Sequence, residues 1–131
     1  MKGFVDDIED LTEENTDFRR VLYTGKSLQL VLMSIEPGGE IGEEVHDDRD
    51  QFFRVEEGKG EIWIDGNRSE VKSDFAMLVP AGARHNVVNT GEKPLKLYTL
   101  YAPPEHRDGT VHATKADADA SDEHFDGKTT E

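Results

Sequence analysis

A spaced frame of glycines around a Glu-Val-His triplet constrains the fold of this chain more than any other feature. Five residues separate Gly38 from Glu44-Val45-His46, four more lead to Gln51, and six more lead to Gly58. Side chains alternate between the two faces of a strand, so Glu44 and His46 point the same way if this segment is extended. They can then share one target only inside a barrel or on one side of a sheet.

A second frame follows and carries another histidine. Asp74 is followed after five residues by Pro80-Ala81-Gly82, after two more by His85 and after three more by Asn89. Proline, glycine and asparagine at these positions mark turns, which places the segment around His85 on a strand between two turns. The two frames therefore bring four side chains of metal-ligand type into one small β domain: Glu44, His46, Gln51 and His85.

The two frames resemble the two motifs of the cupin family over about residues 28–101. The family pattern is Gly, five residues, His-x-His, three or four residues, Glu, six residues and Gly, then Gly, five residues, Pro-x-Gly, two residues, His, three residues and Asn. The spacing fits both motifs, but Glu44 stands at the first His, Gln51 at the Glu and Asp74 at the leading Gly of the second motif. The resemblance implies an all-β, double-stranded antiparallel β-barrel of the jelly-roll type.

The resemblance also implies that Glu44, His46, Gln51 and His85 point into one cavity and bind a divalent metal ion. Two histidines and one carboxylate form the donor set that holds non-haem Fe(II), and the same set suits Mn, Zn or Ni. Gln51 is a neutral, weak donor that binds the metal directly or through a water molecule. Taken singly, each residue also fits an ordinary polar position, and the pocket would then be empty.

This donor set leaves two classes of function open. The first is a metal-dependent enzyme acting on a small polar molecule, through O₂-linked oxidation or sugar-type isomerisation. Isomerisation stays open because the donors resemble those of cupin-type phosphomannose isomerases, with Gln and Glu exchanged in order. The second class is a non-catalytic module that binds or senses a small ligand. Fold alone does not separate these classes, since function lies in the site.

Short β-rich segments at about ten-residue spacing predict an antiparallel sandwich or barrel. The Asp65-Gly66 pair predicts a hairpin turn, and a further strand is expected to begin at Val71. The chain divides into an N-terminal segment with a candidate edge strand, a barrel, and an acidic, largely irregular tail in which a short helix is expected at 115–120. These three regions cover residues 1–27, 28–104 and 105–131. The other predicted strands cover residues 18–23, 28–35, 51–55, 61–64, 75–79, 85–88 and 95–101.

The formal charge of −14 is concentrated at the two ends of the chain. Residues 1–15 and residues 117–131 each contain six acidic residues against one lysine, a net charge of −5. Such acidic ends are typical of solvated segments, so we expect residues 121–131 to be loose and dispensable for folding. The negative charge argues against nucleic acid as a partner, because the phosphate backbone would repel it.

The chain contains no cysteine, so a bound metal must use nitrogen and oxygen ligands. The N-terminus has no apolar core of a signal peptide, and no run approaches the roughly 18 apolar residues that span a bilayer. We therefore expect a cytoplasmic protein that does not associate with membranes. The expected partners are a small-molecule ligand or substrate and a second copy of the chain, in a homodimer that uses the strand at 18–23.

Strand alternation also assigns faces to the aromatic residues near the frames. With Gln51 pointing inward, Phe53 should point inward too and Phe52 outward. Tyr98 and Tyr101 face opposite ways, so at most one of them reaches the cavity.

Two arginines and two histidines near the frames or in the tail are interpreted as residues without a role in the site. Arg54 and Arg84 lie beside inward-pointing residues and should point outward, which favours surface ion pairs. His106 and His112 belong to the tail, and we expect them to be solvated.

Overall fold

The computed structural model describes all 131 residues and contains ten strands and two short helices. Neither helix is long and apolar enough to cross a bilayer. In chain order the elements are α1 (Ile8–Glu14), β1 (Arg19–Thr24), β2 (Gln29–Ile35), β3 (Glu44–Val45), β4 (Asp50–Glu57), β5 (Lys59–Ile64), β6 (Asn67–Lys72), β7 (Ala76–Val79), β8 (Arg84–Asn89), β9 (Leu95–Ala102), β10 (Val111–His112) and α2 (Lys115–Ala120).

The strands form two antiparallel sheets whose inner faces share one core. The six-stranded sheet has the order β10-β1-β2-β9-β4-β7, and the four-stranded sheet has the order β3-β8-β5-β6. A cluster of 17 buried apolar residues from both sheets fills the space between them. The predicted all-β, jelly-roll fold is confirmed.

Alternation along β4 shows how the sequence divides the two faces. Phe53 and Val55 are fully buried in the core, whereas Phe52 is half-buried on the outer face, 6.5 Å from the ring of Tyr98 between centroids. Gln51 shares the inner face with Phe53 and is 2% exposed. The period-2 pattern therefore carries a polar side chain into the interior beside the apolar core.

The structure differs from the predicted strands mainly at β6. That strand begins at Asn67, directly after the Asp65-Gly66 turn, and Val71 lies near its end. Its first four residues are all exposed and polar, because β6 is the edge of its sheet. Such an edge strand lacks the apolar alternation that would reveal it in the sequence.

β1 is not an edge strand, contrary to our expectation. It pairs with β2 on one side and with β10 on the other, where Arg19 lies opposite His112 and Arg20 opposite Val111. The edges of the six-stranded sheet are β7 and β10. A second copy of the chain cannot therefore pair with β1 along this stretch, and the homodimer itself stays a prediction.

The turn before β7 contains Asp74 in the left-handed region, with φ of 75°. This is the position at which the family pattern has glycine, which adopts such a backbone without a Cβ penalty. The Asp74 carboxylate accepts a hydrogen bond from Arg54 at 3.1 Å on the exposed surface. The departure from the pattern is therefore confined to a strained surface turn.

We predict that Asp74→Gly is more stable than Asp74→Ala by about 1 kcal/mol, which is the lower end of the cost of a left-handed non-glycine residue. Both substitutions remove the same carboxylate, so their difference isolates the backbone strain. Urea denaturation of the two variants measures it. Equal midpoints would show that the turn relaxes.

The tail lies against the barrel and the N-terminus, although we expected its last residues to be loose. Phe125 N–H donates to the Glu105 carbonyl at 2.9 Å, and Thr130 N–H donates to the Thr24 carbonyl at 2.9 Å. The Glu131 carboxylate accepts from the Gly3 N–H at 2.9 Å. Residues 121–131 form no helix or strand, yet main-chain hydrogen bonds fix their path.

Glu123 is the tail residue with the strongest polar contacts. Its carboxylate lies 2.6 Å from His106 Nδ1 and accepts the Arg107 N–H at 2.8 Å. Burial raises the pKa of Glu123, but these two hydrogen bonds outweigh burial and lower the pKa to about 2. A lowered pKa means that the contribution to stability is present above the ordinary value of 4.5 and is lost as the pH falls through about 2.

We predict that Glu123→Gln destabilises the protein at pH 7 by about 1.5–3 kcal/mol, the usual loss for a hydrogen bond to a charged group. The difference from the wild type should shrink as the pH falls towards 2. Thermal unfolding followed by circular dichroism measures both effects. Asp122→Asn removes one negative charge at an exposed neighbouring position, so it controls for the effect of lowering the net charge. If Glu123→Gln unfolds no earlier than this control, the contacts of Glu123 contribute nothing to stability.

Candidate metal centre

Pairing between β3 and β8 places two of the four candidate ligands opposite each other. Glu44 lies across from His85 in this register, and His46 follows two residues after Glu44. The ligand-type atoms of Glu44, His46 and His85 all lie within 4.8 Å of one another. The structure thus brings together three of the four residues that the frames single out, and their role as ligands stays a prediction.

Gln51, the fourth residue, adjoins this cluster from the facing sheet. Its Oε1 lies 3.2 Å from His85 Nε2, and its Nε2 donates to Thr99 Oγ1 at 3.0 Å. His85 is 4% exposed, and its Nδ1 lies 3.0 Å from the Ala83 carbonyl. Because a carbonyl only accepts, Nδ1 carries a proton. His85 Nε2 and Gln51 Oε1 both face the cluster, where each can offer a lone pair to a bound cation.

His46 is held between two carboxylates. Its Nε2 lies 2.9 Å from Glu44 Oε2, and its Nδ1 lies 3.6 Å from Glu105 Oε2. Glu105 is in turn fixed by Arg49, whose Nη1 lies 2.7 Å from the same carboxylate. A carboxylate behind an imidazole is the usual device that orients a metal-binding histidine. Both histidines therefore direct Nε2 towards the centre of the cluster.

The charges of this cluster favour a cation. The hydrogen bond to Glu44 raises the pKa of His46; burial opposes this, and the charges of Glu44 and Glu105 add to it. Burial raises the pKa of Glu44, but the hydrogen bond and charge of His46 lower it more, so the carboxyl group stays ionised. A divalent metal would displace the proton that His46 holds between these carboxylates, so binding releases a proton.

Tyr101 forms the wall of the site on the side of β9. It is 1% exposed, and its ring meets the His46 ring edge-on with 5.9 Å between centroids. Its hydroxyl lies 3.3 Å from His106 Nε2, and His106 Nδ1 contacts Glu123. Burial raises the pKa of Tyr101 far above its usual range, so the phenol stays protonated.

Several of these residues were not identified from the sequence. His106 and His112 are both buried rather than solvated, and Glu105 reaches the site from the turn after β9. Strand alternation predicts that Glu44 and His46 point the same way. Glu105 and His106 lie on no helix or strand, so no such pattern predicts their positions. Only the path of the chain after β9 brings them back to the barrel.

The arginines beside the frames lie where alternation predicts. Arg84 pairs with Glu43 at 2.7 Å and Arg54 with Asp74 at 3.1 Å, all on the outer surface. Two surface grooves, of about 520 and 660 Å³, are lined by none of the four candidate ligands. A smaller cavity of about 260 Å³ does reach the candidate site, because His85 lines it together with Arg68 and Arg84.

Comparison with known proteins agrees with this fold. The family model of the cupin domain matches residues 31–101. The uncharacterized protein YrkC of Bacillus subtilis is 48% identical over 128 residues, covering 93% of this chain and 69% of YrkC. The uncharacterized protein L612 of Acanthamoeba polyphaga mimivirus is 33% identical, covering 90% of this chain and 76% of L612.

Solved structures give the same result. The crystal structure of BH2720 from Bacillus halodurans superposes with a TM-score of 0.90 at 52% identity, covering 92% of this chain and 96% of that one. These matches and the two-sheet architecture define a small single-domain protein with histidine and carboxylate groups inside a jelly roll. The chain belongs to the cupin family.

We predict that His46→Ala and His85→Ala each abolish retention of a divalent metal, because each removes one of two imidazole donors. His124→Ala, at an exposed histidine, is the matched control and should retain the metal. Elemental analysis of protein purified without a chelator or an affinity tag measures the content. In the wild type, metal affinity should rise with pH through the raised pKa of His46. Equal metal content in all three variants would exclude this site.

Proposed function

We propose that this chain is a divalent-metal-dependent enzyme that acts on a small polar molecule, with O₂-linked oxidation at Fe(II) as its reaction class. The observation that supports this proposal is the convergence of Glu44, His46 and His85 within 4.8 Å between the sheets. Two histidines and one carboxylate hold Fe(II) on one face and leave other positions open for substrate and O₂. His85 Nε2 and Gln51 Oε1, which lie 3.2 Å apart, can offer lone pairs to the same cation.

Bound Fe(II) would supply the open coordination positions and the redox chemistry with O₂. Glu44, His46 and His85 would hold the ion, and Gln51 Oε1 would bind it or accept a hydrogen bond from a bound water. Glu105 and the Ala83 carbonyl fix the orientation of the two imidazoles.

Tyr101 would act on the substrate rather than on the metal. Its phenol is neutral and lies beside His46, so its hydroxyl group can form a hydrogen bond with a polar group bound at the centre. Burial between the sheets also limits the access of bulk water to the reacting atoms, which strengthens every polar contact there.

Sugar-type isomerisation is the second candidate, and the contacts of Tyr101 favour it. Tyr101, His106 and Glu123 form a continuous hydrogen-bonded chain from the candidate site to the tail. Such a chain can carry a proton to or from a substrate, which isomerisation requires and simple binding does not. A non-catalytic module would use the same cavity without this chemistry.

Metal identity and open coordination positions distinguish these functions. We expect apo-protein reconstituted without oxygen to bind Fe(II) and then nitric oxide, which replaces O₂ as a stable probe and gives a half-integer-spin electron paramagnetic resonance signal. The same preparation should consume O₂ when a panel of small hydroxy acids, keto acids and sugars is added. His85→Ala is the control without the site.

Each alternative has its own outcome in this experiment. Protein-bound iron that takes up no nitric oxide would exclude O₂-linked oxidation. Exchange of substrate hydrogen with deuterated solvent in the Mn or Zn form, without O₂ uptake, would indicate isomerisation. Tight binding of a compound with neither reaction would indicate a binding module.

A further inference from the structure

A buried arginine without a carboxylate partner lies on the inner face of the six-stranded sheet. Arg19 on β1 is 7% exposed, and Val21 on the same face belongs to the core. Arg20, between them, is exposed and pairs with Asp17 at 2.8 Å. Strand alternation therefore turns the Arg19 side chain inward.

The hydrogen-bonding capacity of Arg19 is largely unused. Its one side-chain hydrogen bond joins Nη1 to His112 Nδ1 at 3.3 Å, and its buried Nε has no partner. No carboxylate oxygen lies within 4.0 Å of the guanidinium. The guanidinium also lies 5.3 Å from the centroid of the Phe18 ring, a weak attraction that satisfies no N–H group.

This lack of a partner is not caused by a shortage of acids. The chain has 29 acidic residues and a net charge of −14. Five of the other arginines pair with carboxylates, and Arg68 lies over the Trp63 ring at 4.2 Å. The five pairs are Arg20–Asp17, Arg49–Glu105, Arg54–Asp74, Arg84–Glu43 and Arg107–Asp126. A buried, unpaired charge costs several kcal/mol, so the most buried arginine calls for a partner from outside the chain.

Arg19 lies on the inner face of the sheet that also carries Gln51 and Tyr101. Neither Glu44 nor Glu123, which contact histidines, pairs with it. The N–H groups of the guanidinium therefore remain unused on the face that lines the candidate site.

We propose that Arg19 binds the oxyanion of a small anionic substrate, a carboxylate or a phosphate, whose other end reaches the candidate metal centre. The planar fork of a guanidinium matches both groups, and the interior strengthens the attraction. This inference names the substrate class for the cavity and in that respect rests on the proposed function. The anion site itself requires no metal.

The test uses the full-length protein after treatment with a chelator. Acetate, malonate and inorganic phosphate serve as probes in calorimetric titrations and thermal unfolding, with sodium chloride keeping the ionic strength constant. At least one probe should bind the wild type and raise its unfolding temperature. Arg19→Met should weaken that binding at least tenfold, and Arg20→Met, the matched surface control, should leave it unchanged. If only acetate or malonate binds, the oxyanion is a carboxylate. If only phosphate binds, the oxyanion is a phosphate.

The stability of the protein without a probe is a second readout. Methionine removes the unpaired charge and keeps much of the side-chain volume, so Arg19→Met should unfold at the wild-type temperature or above it. Arg19→Lys keeps the charge and loses the fork, so it should bind the probe about tenfold more weakly than the wild type. This variant tests the inference even if Arg19→Met does not fold.

Two results would overturn the inference. One is the absence of binding by all three probes; the other is equal binding by the wild type and both Arg19 variants, which would mark Arg19 as purely structural. Because the titrations use metal-free protein, they are independent of the proposed function. A protein that binds the anion but retains no metal refutes the proposed function alone, whereas metal retention without anion binding refutes only this inference.

Discussion

The need to satisfy polar groups enclosed between two sheets governs most of this structure. A buried polar group without a partner costs about 1–3 kcal/mol, and a buried charge costs more. The inner faces are apolar at one end, where Ile35, Val55 and Leu97 pack together, and polar at the other, around Gln51 and His85. The arrangement of the polar end follows from how each of its groups finds a partner.

Most of those groups find their partners within the chain, and the exceptions indicate function. Gln29 is fully buried and is satisfied by Thr24 and by the main chain at His106. Asn89, the last residue of the second frame, donates to the carbonyls of Ile35 and Lys93 and is structural. Arg19 Nε has no such partner. Its unused N–H group motivates the proposed anion site, as the cluster of Glu44, His46 and His85 motivates the metal site.

The barrel can be predicted from the sequence because side-chain alternation and turn residues are local signals. Alternation places Phe53 inside and Phe52 outside, and Asp65-Gly66 marks a turn in which both residues have positive φ. The spacing of the frames brings Glu44, His46 and His85 together because strand register converts sequence distance into position. The start of β6 is not predicted from the sequence, because its exposed residues show no apolar alternation.

The tail could not be predicted for a different physical reason. Its composition is that of a solvated segment, since contacts such as Glu123 to His106 use charges rather than apolar surface. A charge run in a sequence does not reveal whether its partner is water or a buried histidine. The burial of Arg19 could not be predicted either, because a single arginine on a strand usually points outward.

The location of these unpredicted residues bears on what distinguishes this protein within its family. The part that matches the cupin domain, residues 31–101, contains all four candidate ligands and Tyr101. Arg19 precedes that part, and Glu105, His106 and Glu123 follow it. The region that defines the fold therefore supplies the candidate metal donors, whereas the flanking segments supply the groups that orient His46, contact Tyr101 and carry the free guanidinium. Under the proposed function, the metal donors would come from the part of the chain that matches the family, and the groups that select a substrate would come from the flanking segments.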